Sequence, residues 1–554
     1  MNLALVVPIL LGSLAVTWFA RWRGWPAPLL ITLVAMAVSF IPAMPQIDID
    51  GELVLWVVLP PLLYSASLDA SFLSFRESIG PIRRLGIGLV LATTGAVAVV
   101  AMLVVPQFGW VGALLLGAIV SPPDAVSAAA IGRRLGLPRR VMAVISGESL
   151  VNDATALTLY RVFVAAVAGT TVSWLHGFGD FAWAVLSGVA LGLLIGVIVH
   201  QIRMRSNDST LVTTMGLLVP FVAYAAGEFV HGSGVLVVVF AGLYVGLHAP
   251  QTRYTTRQQE RPLWNSLDTL LEGAVFALIG LQVTHVVSSI SADPDLARRT
   301  ILLASLVLLT VLLLRPIWVF SVHWLVRASS RLRNRLRHPR HEPEYSWREL
   351  TVISWTGMRG VVTLATAAAL PSTDAVLGNG SGEIIFTTAF VVTIGTLLIQ
   401  GLTLAPLIRR LNVADPGEAE RDAEQVRAVR ERAANEGLAY LERMRPVWTE
   451  RFGESETERV FGRLAAQIER SERKLDQLGE DSAREQGVAD RAARNQHLQQ
   501  LTRDWLEIRR NVLLEELRAG NLSEEVMREM ITSMDAEELA LDTITGSQLG
   551  RQGR

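Results

Sequence analysis

The sequence predicts an all-helical polytopic membrane protein: about 13 transmembrane helices form two inverted six-helix repeats with discontinuous helices, followed by a C-terminal helical domain. Three observations support this fold class. Roughly the first 410 of the 554 residues are apolar and poor in charge, whereas the remainder is strongly charged. Arginines are concentrated in alternate loops between the apolar segments, and two of the segments contain helix-breaking interruptions.

Composition divides the chain into a transmembrane domain, 1–410, and a cytoplasmic helical tail, 411–554. A mean hydropathy of +0.38 over 554 residues implies a polytopic membrane protein and not a soluble one. The formal net charge of -1 averages two unlike halves, so it says nothing about partners. The chain has no cysteine, which excludes disulfides and thiolate metal sites. The first apolar segment lacks a basic start, so we expect a membrane helix and not a cleaved signal peptide.

A helix needs about 20 apolar residues to cross a bilayer, and 13 segments meet this length. They are approximately 3–20, 25–44, 52–68, 85–105, 109–131, 141–168, 181–202, 211–229, 234–249, 266–289, 300–326, 349–370 and 383–407. The loops after the odd-numbered segments carry about 21 arginines, and the alternate loops carry two. Because basic loops stay cytoplasmic, we expect the N-terminus outside and the tail inside the cell.

Two segments are interrupted. Pro122 and Pro123 remove two backbone donors from the fifth segment, and Asp124 follows them. The twelfth segment contains Gly357-Met358-Arg359-Gly360. Interrupted segments at matching places in two halves indicate a transporter site at the repeat interface. A purely structural proline kink is the alternative for the fifth segment.

The sixth segment contains polar residues at its centre, in the run Gly147-Glu148-Ser149-Leu150-Val151-Asn152-Asp153-Ala154-Thr155. Acids inside a membrane are costly and mark ion or proton paths. Ser149 and Asp153 share one helix face because they are four residues apart. A hard cation such as sodium prefers oxygen ligands, which Asp153, Asp124, Ser149 and Asn152 would supply together with freed carbonyls. We expect Glu148 and Arg359 to form a structural ion pair.

Four motifs together carry a resemblance to a known family. They are Ser121-Pro122-Pro123-Asp124-Ala125-Val126, the run from Gly147 to Thr155, the run from Leu271 to Gln282, and Gly357-Met358-Arg359-Gly360-Val361-Val362. In order and spacing they resemble the cation:proton antiporter-1 family, the sodium/proton exchangers, over roughly 1–410.

The resemblance implies a role for each matching residue. Asp153 matches the ion- and proton-binding aspartate, and Asn152 matches the asparagine that marks the electroneutral branch. Ser149, Asp124 and the backbone near Pro123 match further cation ligands. Glu148 and Arg359 match a structural ion pair between core helices. It also implies a homodimer whose core helices move against a static scaffold.

One position departs from the family pattern. Several members have a glutamate after the run that reads Leu59-Pro60-Pro61-Leu62-Leu63-Tyr64 here, and this chain has Ser65. Asp69, one turn further on, is a possible substitute. The departure affects cation preference, which the sequence leaves open between sodium, lithium and potassium.

These observations predict a secondary active antiporter in the cytoplasmic membrane, which exchanges a monovalent cation for a proton by competition at Asp153. We expect no cofactor, no nucleic-acid partner and no enzymatic activity, because no nucleophile–base constellation is present. A potassium/proton antiporter is the alternative; a cation channel is a weaker one, because broken helices meeting at buried acids are typical of carriers. For the tail, helical spacing leaves open a hairpin packed on itself or its dimer mate, or a regulatory domain; we favour regulation or assembly without a small-molecule ligand.

Overall fold

A computed structural model of the chain describes residues 3–42, 51–168, 174–292, 294–334, 345–370, 380–413, 416–473 and 505–536. Within these ranges the ordered elements are helices, with no β-strand. The all-helical class predicted from the sequence is therefore confirmed.

The helices are given in two groups, those that end at or before residue 334 and those that begin after residue 345. The first group is α1 (Leu3–Arg23), α2 (Ala27–Ser39), α3 (Gly51–Asp69), α4 (Phe72–Glu77), α5 (Ile79–Val104), α6 (Gly109–Val120), α7 (Ala125–Arg134), α8 (Arg139–Val167), α9 (Trp174–Arg205), α10 (Ser209–Phe229), α11 (Gly234–His248), α12 (Tyr254–Leu281), α13 (Val283–Ala292) and α14 (Pro294–Asn334). The second group is α15 (Trp347–Trp355), α16 (Val361–Ala368), α17 (Ser381–Leu411), α18 (Pro416–Phe452), α19 (Glu454–Arg473), α20 (505–518) and α21 (524–536).

Nine helices among the described residues are long and apolar enough to cross a membrane. They match, one to one, nine of the segments predicted from the sequence. The other four predicted segments are α1, the 13-residue α2 and the two interrupted segments. The protein is thus a multi-pass membrane protein, and the total of 13 spans stays a prediction.

The chain forms two compact units. The first comprises Met1–Ala249 and Gln259–Asp415, and the second comprises Pro250–Gln258 and Pro416–Arg554. The units differ from the predicted domains, 1–410 and 411–554, chiefly in the nine residues Pro250–Gln258, which belong with the tail.

Both predicted interruptions are present, so the discontinuous helices are confirmed. Residues 121–124 separate α6 from α7, and residues 356–360 separate α15 from α16. The two breaks meet directly, because the backbone N–H of Asp124 donates to the carbonyl of Met358 at 2.6 Å. Backbone groups freed by one break are thereby satisfied by the other, as an apolar environment requires.

Two contacts fix the helices that lead into these breaks. Ser346 and Glu349 form a capping box at the start of α15, and the same Glu349 accepts a hydrogen bond from Arg140 Nε at 2.7 Å. The start of α15 is thereby tied to the start of α8. On α6, Gly117 lies against the backbone of Thr94 on α5, so close that a β-carbon would be 2.8 Å from the Thr94 Cα.

We expect Gly117→Ala to destabilise the protein, because the added methyl meets backbone and not a flexible side chain. Overpacking of this kind costs about 1–3 kcal/mol. The melting temperature in detergent should fall relative to wild type. Gly95→Ala on α5 is the matched control, since a β-carbon added there would have nothing within 4 Å. Equal melting temperatures for the two variants would contradict the close approach of α6 and α5.

Candidate functional site

The polar residues of α8 are buried at the centre of the first unit. Asn152 is fully buried, Glu148 is 2% exposed and Asp153 is 6% exposed, while Ser149 is partly buried. Their neighbours on the helix, among them Leu150, Ala154 and Leu157, belong to an apolar core. The site therefore consists of a few polar groups surrounded by hydrocarbon, where every unpaired charge is costly.

Asn152 joins α8 to the first broken helix. Its side-chain Nδ2 donates to the carbonyl of Pro123 at 3.1 Å. Residues 121–124 are not helical, so the Pro123 carbonyl lies in the break, and the Asn152 amide supplies a donor for it. The other end of the amide, Oδ1, is buried and accepts no hydrogen bond from any described residue. Asn152 thus holds the break in place and keeps one oxygen available.

Asp124 lies where the two broken helices meet. Its backbone bonds Met358, and its carboxylate packs directly against Gly360 in the second break. Any side chain at position 360 would collide with this carboxylate, which explains the glycine there. The second break therefore contributes a close backbone surface beside an acid.

Asp153 is the second buried acid of α8, after Glu148. Among the described residues, no ion pair or hydrogen bond involves its carboxylate, and Asp124 is close enough to interact with it electrostatically. Ser149 is one turn earlier on the same helix. The predicted ligands Asp153, Asp124, Ser149 and Asn152 thus lie on α8 and at the break that Asn152 contacts. The carbonyl of Pro123, predicted as a ligand, accepts the Asn152 hydrogen bond.

The structure corrects the partner of Glu148. The sequence predicts Arg359, but both carboxylate oxygens of Glu148 bond the guanidinium of Arg315 on α14, one of them at 2.7 Å from Nη2. Arg315 also donates from Nε to the Ile353 carbonyl at 3.1 Å. A planar guanidinium suits this bidentate geometry. The ion pair is buried on both sides, with side-chain exposures of 3% and 2%.

Arg359 is a second buried guanidinium near this ion pair, and its environment is different. Its backbone N–H donates to Thr396 Oγ1 at 2.9 Å. Its Nε and Nη1 have no hydrogen-bond partner among the described residues. It is 1% exposed and lies in the electrostatic range of Arg315 and Glu148. The predicted Glu148–Arg359 pair is therefore wrong as to its partner, and Arg359 is an additional positive charge beside a completed pair.

Comparison with known proteins assigns the chain to a family. The family model described as the sodium/hydrogen exchanger transmembrane domain matches residues 6–410. The chain belongs to this family. An uncharacterized Na(+)/H(+) exchanger of Mycobacterium tuberculosis is 30% identical over 549 residues, which cover 97% of this chain and 95% of that protein. A sodium, potassium, lithium and rubidium/H(+) antiporter of Bacillus pumilus is 27% identical over 69% of this chain and 57% of its own length.

The fold of this sodium/hydrogen exchanger family member also has a solved counterpart. The sodium proton antiporter MjNhaP1 of Methanocaldococcus jannaschii superposes with a TM-score of 0.59 at 18% identity, over 74% of this chain and 99% of that one. At this identity the likeness shows the fold alone.

Several members of the sodium/hydrogen exchanger family have a glutamate at the position of Ser65. In this chain Ser65 lies beside a carboxylate from another helix. Ser65 Oγ donates to Asp268 Oδ2 on α12 at 2.5 Å. A carboxylate is therefore present beside position 65, although it comes from another helix. Glu272 lies one turn beyond Asp268, within electrostatic range of both Asp268 and Asp124. Asp69 is the substitute suggested by the sequence, whereas the contact with Ser65 is made by Asp268.

Arg315 and Asp268 were not predicted from the sequence, and only Arg315 has a recognisable sequence signal. Arg315 interrupts an apolar segment beside Pro316, and a charge within a membrane span is a functional or structural marker. Asp268 lies near the start of its segment, where an acid is unremarkable. Its role depends on a contact across 203 residues of sequence.

We expect Arg315→Met to lower the melting temperature more than Arg359→Met does. Removing one partner of a buried ion pair leaves the other charge unpaired and costs about 3–5 kcal/mol. Removing Arg359 leaves no carboxylate unpaired, because Glu148 keeps its pair with Arg315. The double variant Glu148→Gln/Arg315→Met should recover part of the loss, because no charge is then stranded. Thermal unfolding of purified protein in detergent, with wild type as the reference, measures these differences. An equal loss for the two single arginine variants would contradict the assignment of Arg315 as the partner.

Proposed function

We propose that this protein is a secondary active antiporter that exchanges a monovalent cation for a proton, with Asp153 as the group that binds each in turn. The observation that carries this proposal is the state of Asp153. It is a buried acid beside two broken helices, and the described residues offer it no basic partner. A carboxylate in an apolar environment is strongly destabilised unless a proton or a cation neutralises it.

Competition at one carboxylate explains exchange. A proton and a cation cannot neutralise Asp153 together, so binding of one requires release of the other. If the site changes its access only when it is neutral, neither species crosses without the other. Rigid-body movement of one group of helices against another would alternate the access.

The residue next to Asp153 determines how much net charge one exchange cycle transfers. Asn152 has no titratable group, and its side-chain Nδ2 donates to the Pro123 carbonyl. A single titrating acid at the exchange position favours one cation for one proton, with no net charge transferred. Exchange is then driven by the two concentration gradients and not by the membrane potential.

The oxygen ligands favour an alkali cation, and we propose sodium as the main substrate. The donors are carboxylate, hydroxyl, amide and carbonyl oxygens, which hard cations prefer. MjNhaP1 is described as a sodium proton antiporter, while the relative from Bacillus pumilus is named for sodium, potassium, lithium and rubidium. Potassium/proton exchange is therefore the alternative. A panel of these four cations, tested in proteoliposomes, decides between a selective and a broad antiporter.

We further propose a setting for this activity. Arginine-rich loops support an orientation with the N-terminus outside and the tail in the cytoplasm. The family resemblance supports a homodimer in the cytoplasmic membrane. The protein works as a carrier without a cofactor and without enzymatic chemistry.

Asp153→Asn should abolish cation-dependent proton movement, because an amide neither binds a proton near neutrality nor offers a negative charge to a cation. Everted vesicles with a pH-sensitive dye measure this movement. Glu383→Gln is the control, since it makes the same chemical change at an exposed position. Retained exchange in folded Asp153→Asn protein would remove Asp153 from its proposed role.

An imposed membrane potential should leave the exchange rate nearly unchanged if one cation moves for one proton. Moving a single net charge is worth about 2.3 kcal/mol per 100 mV, so electrogenic exchange would respond strongly. Proteoliposomes with a potassium diffusion potential and valinomycin measure the effect with sodium as the transported cation. A rate that follows the potential would contradict one-for-one exchange.

A further inference from the structure

The cytoplasmic start of α12 belongs to two parts of the protein at once. Residues Pro250–Gln258 pack within the same compact unit as the tail, whereas the chain from Gln259 onward belongs to the membrane unit. Helix α12 begins at Tyr254 and continues without interruption to Leu281. The boundary between the units therefore falls inside one continuous helix.

The tail holds the first turn of α12 through a bidentate ion pair. Arg257 Nε donates to Asp535 Oδ2 at 3.0 Å, and its Nη2 bonds Oδ1. Gln258 Nε2 donates to the backbone carbonyl of the same Asp535 at 3.3 Å. The Arg257 and Asp535 side chains are only 11% and 8% exposed. A pair with this geometry and burial is specific, and loss of either partner leaves a shielded charge without compensation.

Arg257 does not stabilise its own helix. A cation in the first turn of a helix faces the positive end of the helix dipole, which is unfavourable. The carboxylate of Asp535 offsets this cost. A further hydrogen bond, from Arg257 Nη1 to the Pro250 carbonyl at 3.3 Å, orders the loop before the helix. The arrangement is thus explained by tail docking and not by local helix stability.

The next turns of α12 are tied to membrane helices. Glu260, three residues after Arg257, forms an ion pair with Arg203 on α9, with side-chain exposures of 13% and 4%. Further along, Trp264 packs on Tyr64 of α3 at a ring-centroid separation of 5.4 Å, and Asp268 bonds Ser65. Pro262 lies between these anchors and lacks the N–H that would bond the Gln258 carbonyl. The first turn is therefore fixed less by the helix itself and more by the tail.

We propose that the tail regulates exchange by holding the first turn of α12 through Asp535 and Arg257. This inference rests on the proposed antiport function, since its main readout is the exchange rate. The pair stabilises the conformation in which it forms relative to the other conformations of the cycle. It therefore acts as a restraint, and its removal speeds exchange.

Arg257→Gln and Asp535→Asn should each raise the rate of cation-dependent proton movement in proteoliposomes by about fivefold or more, the lower end of typical coupling between sites. The double variant should be no faster than either single variant, because both remove the same contact. The exchanged pair Arg257→Asp/Asp535→Arg should return the rate towards that of wild type. Rates equal to or below that of wild type, or additive effects in the double variant, would overturn the proposal.

The matched control is Arg432→Gln, which removes the ion pairs that the exposed Arg432 side chain forms with Glu436, Glu515 and Glu516 inside the tail. Exposed pairs contribute little, so the rate should stay at the wild-type value. Hydrogen–deuterium exchange of residues 250–258 gives a readout that does not require transport. Asp535→Asn should increase deuterium uptake there, and unchanged uptake would overturn the docking. If wild-type protein moved no protons, the proposed function would fail, whereas the uptake result would still judge the docking separately.

Discussion

The site depends on a backbone hydrogen bond between two interrupted helices. Proline ends α6, and glycines around Arg359 end α15, so each break leaves backbone groups without helical partners at buried positions. The bond from Asp124 N–H to the Met358 carbonyl lets each break satisfy the other. The Asn152 amide, which bonds the Pro123 carbonyl, adds α8 to the same junction. Three helical elements are therefore held together by groups that would be unsatisfied if they separated, and the acids are positioned as a result.

The two buried acids of α8, Glu148 and Asp153, differ in how their charges are compensated. Glu148 is neutralised by Arg315, which also reaches the backbone at Ile353 next to the second break. Arg315 thus joins α14 to Glu148 on α8 and to the backbone of α15. Asp153, five residues further along α8, has no such partner among the described residues. The same helix therefore carries one acid that is neutralised by a fixed arginine and one that has no such partner among the described residues.

Much of this could be predicted from the sequence, because the responsible signals are local. Hydropathy located the nine long membrane helices, and Pro122, Pro123 and the Gly357–Gly360 run marked both breaks. The polar run from Glu148 to Asp153 identified the site. Partners were less predictable, because they depend on which helices become neighbours. Glu148 had two buried arginines available, and only tertiary packing selects Arg315, 167 residues away, over Arg359. The carboxylate beside Ser65 likewise comes from a distant segment, Asp268, and no local pattern distinguishes it from an acid at a membrane edge.

Helix α12 contains residues of both compact units. Within a few turns it bears a charge pair to the tail at Arg257, a charge pair to α9 at Glu260 and a hydrogen bond to α3 at Asp268. Each contact joins side chains far apart in sequence, and each lies on a different turn of one helix. Glu272 continues this series of polar residues on the same helix to within electrostatic range of Asp124. The boundary between the two compact units therefore lies inside one continuous helix. It is the helix through which we propose that the tail regulates exchange.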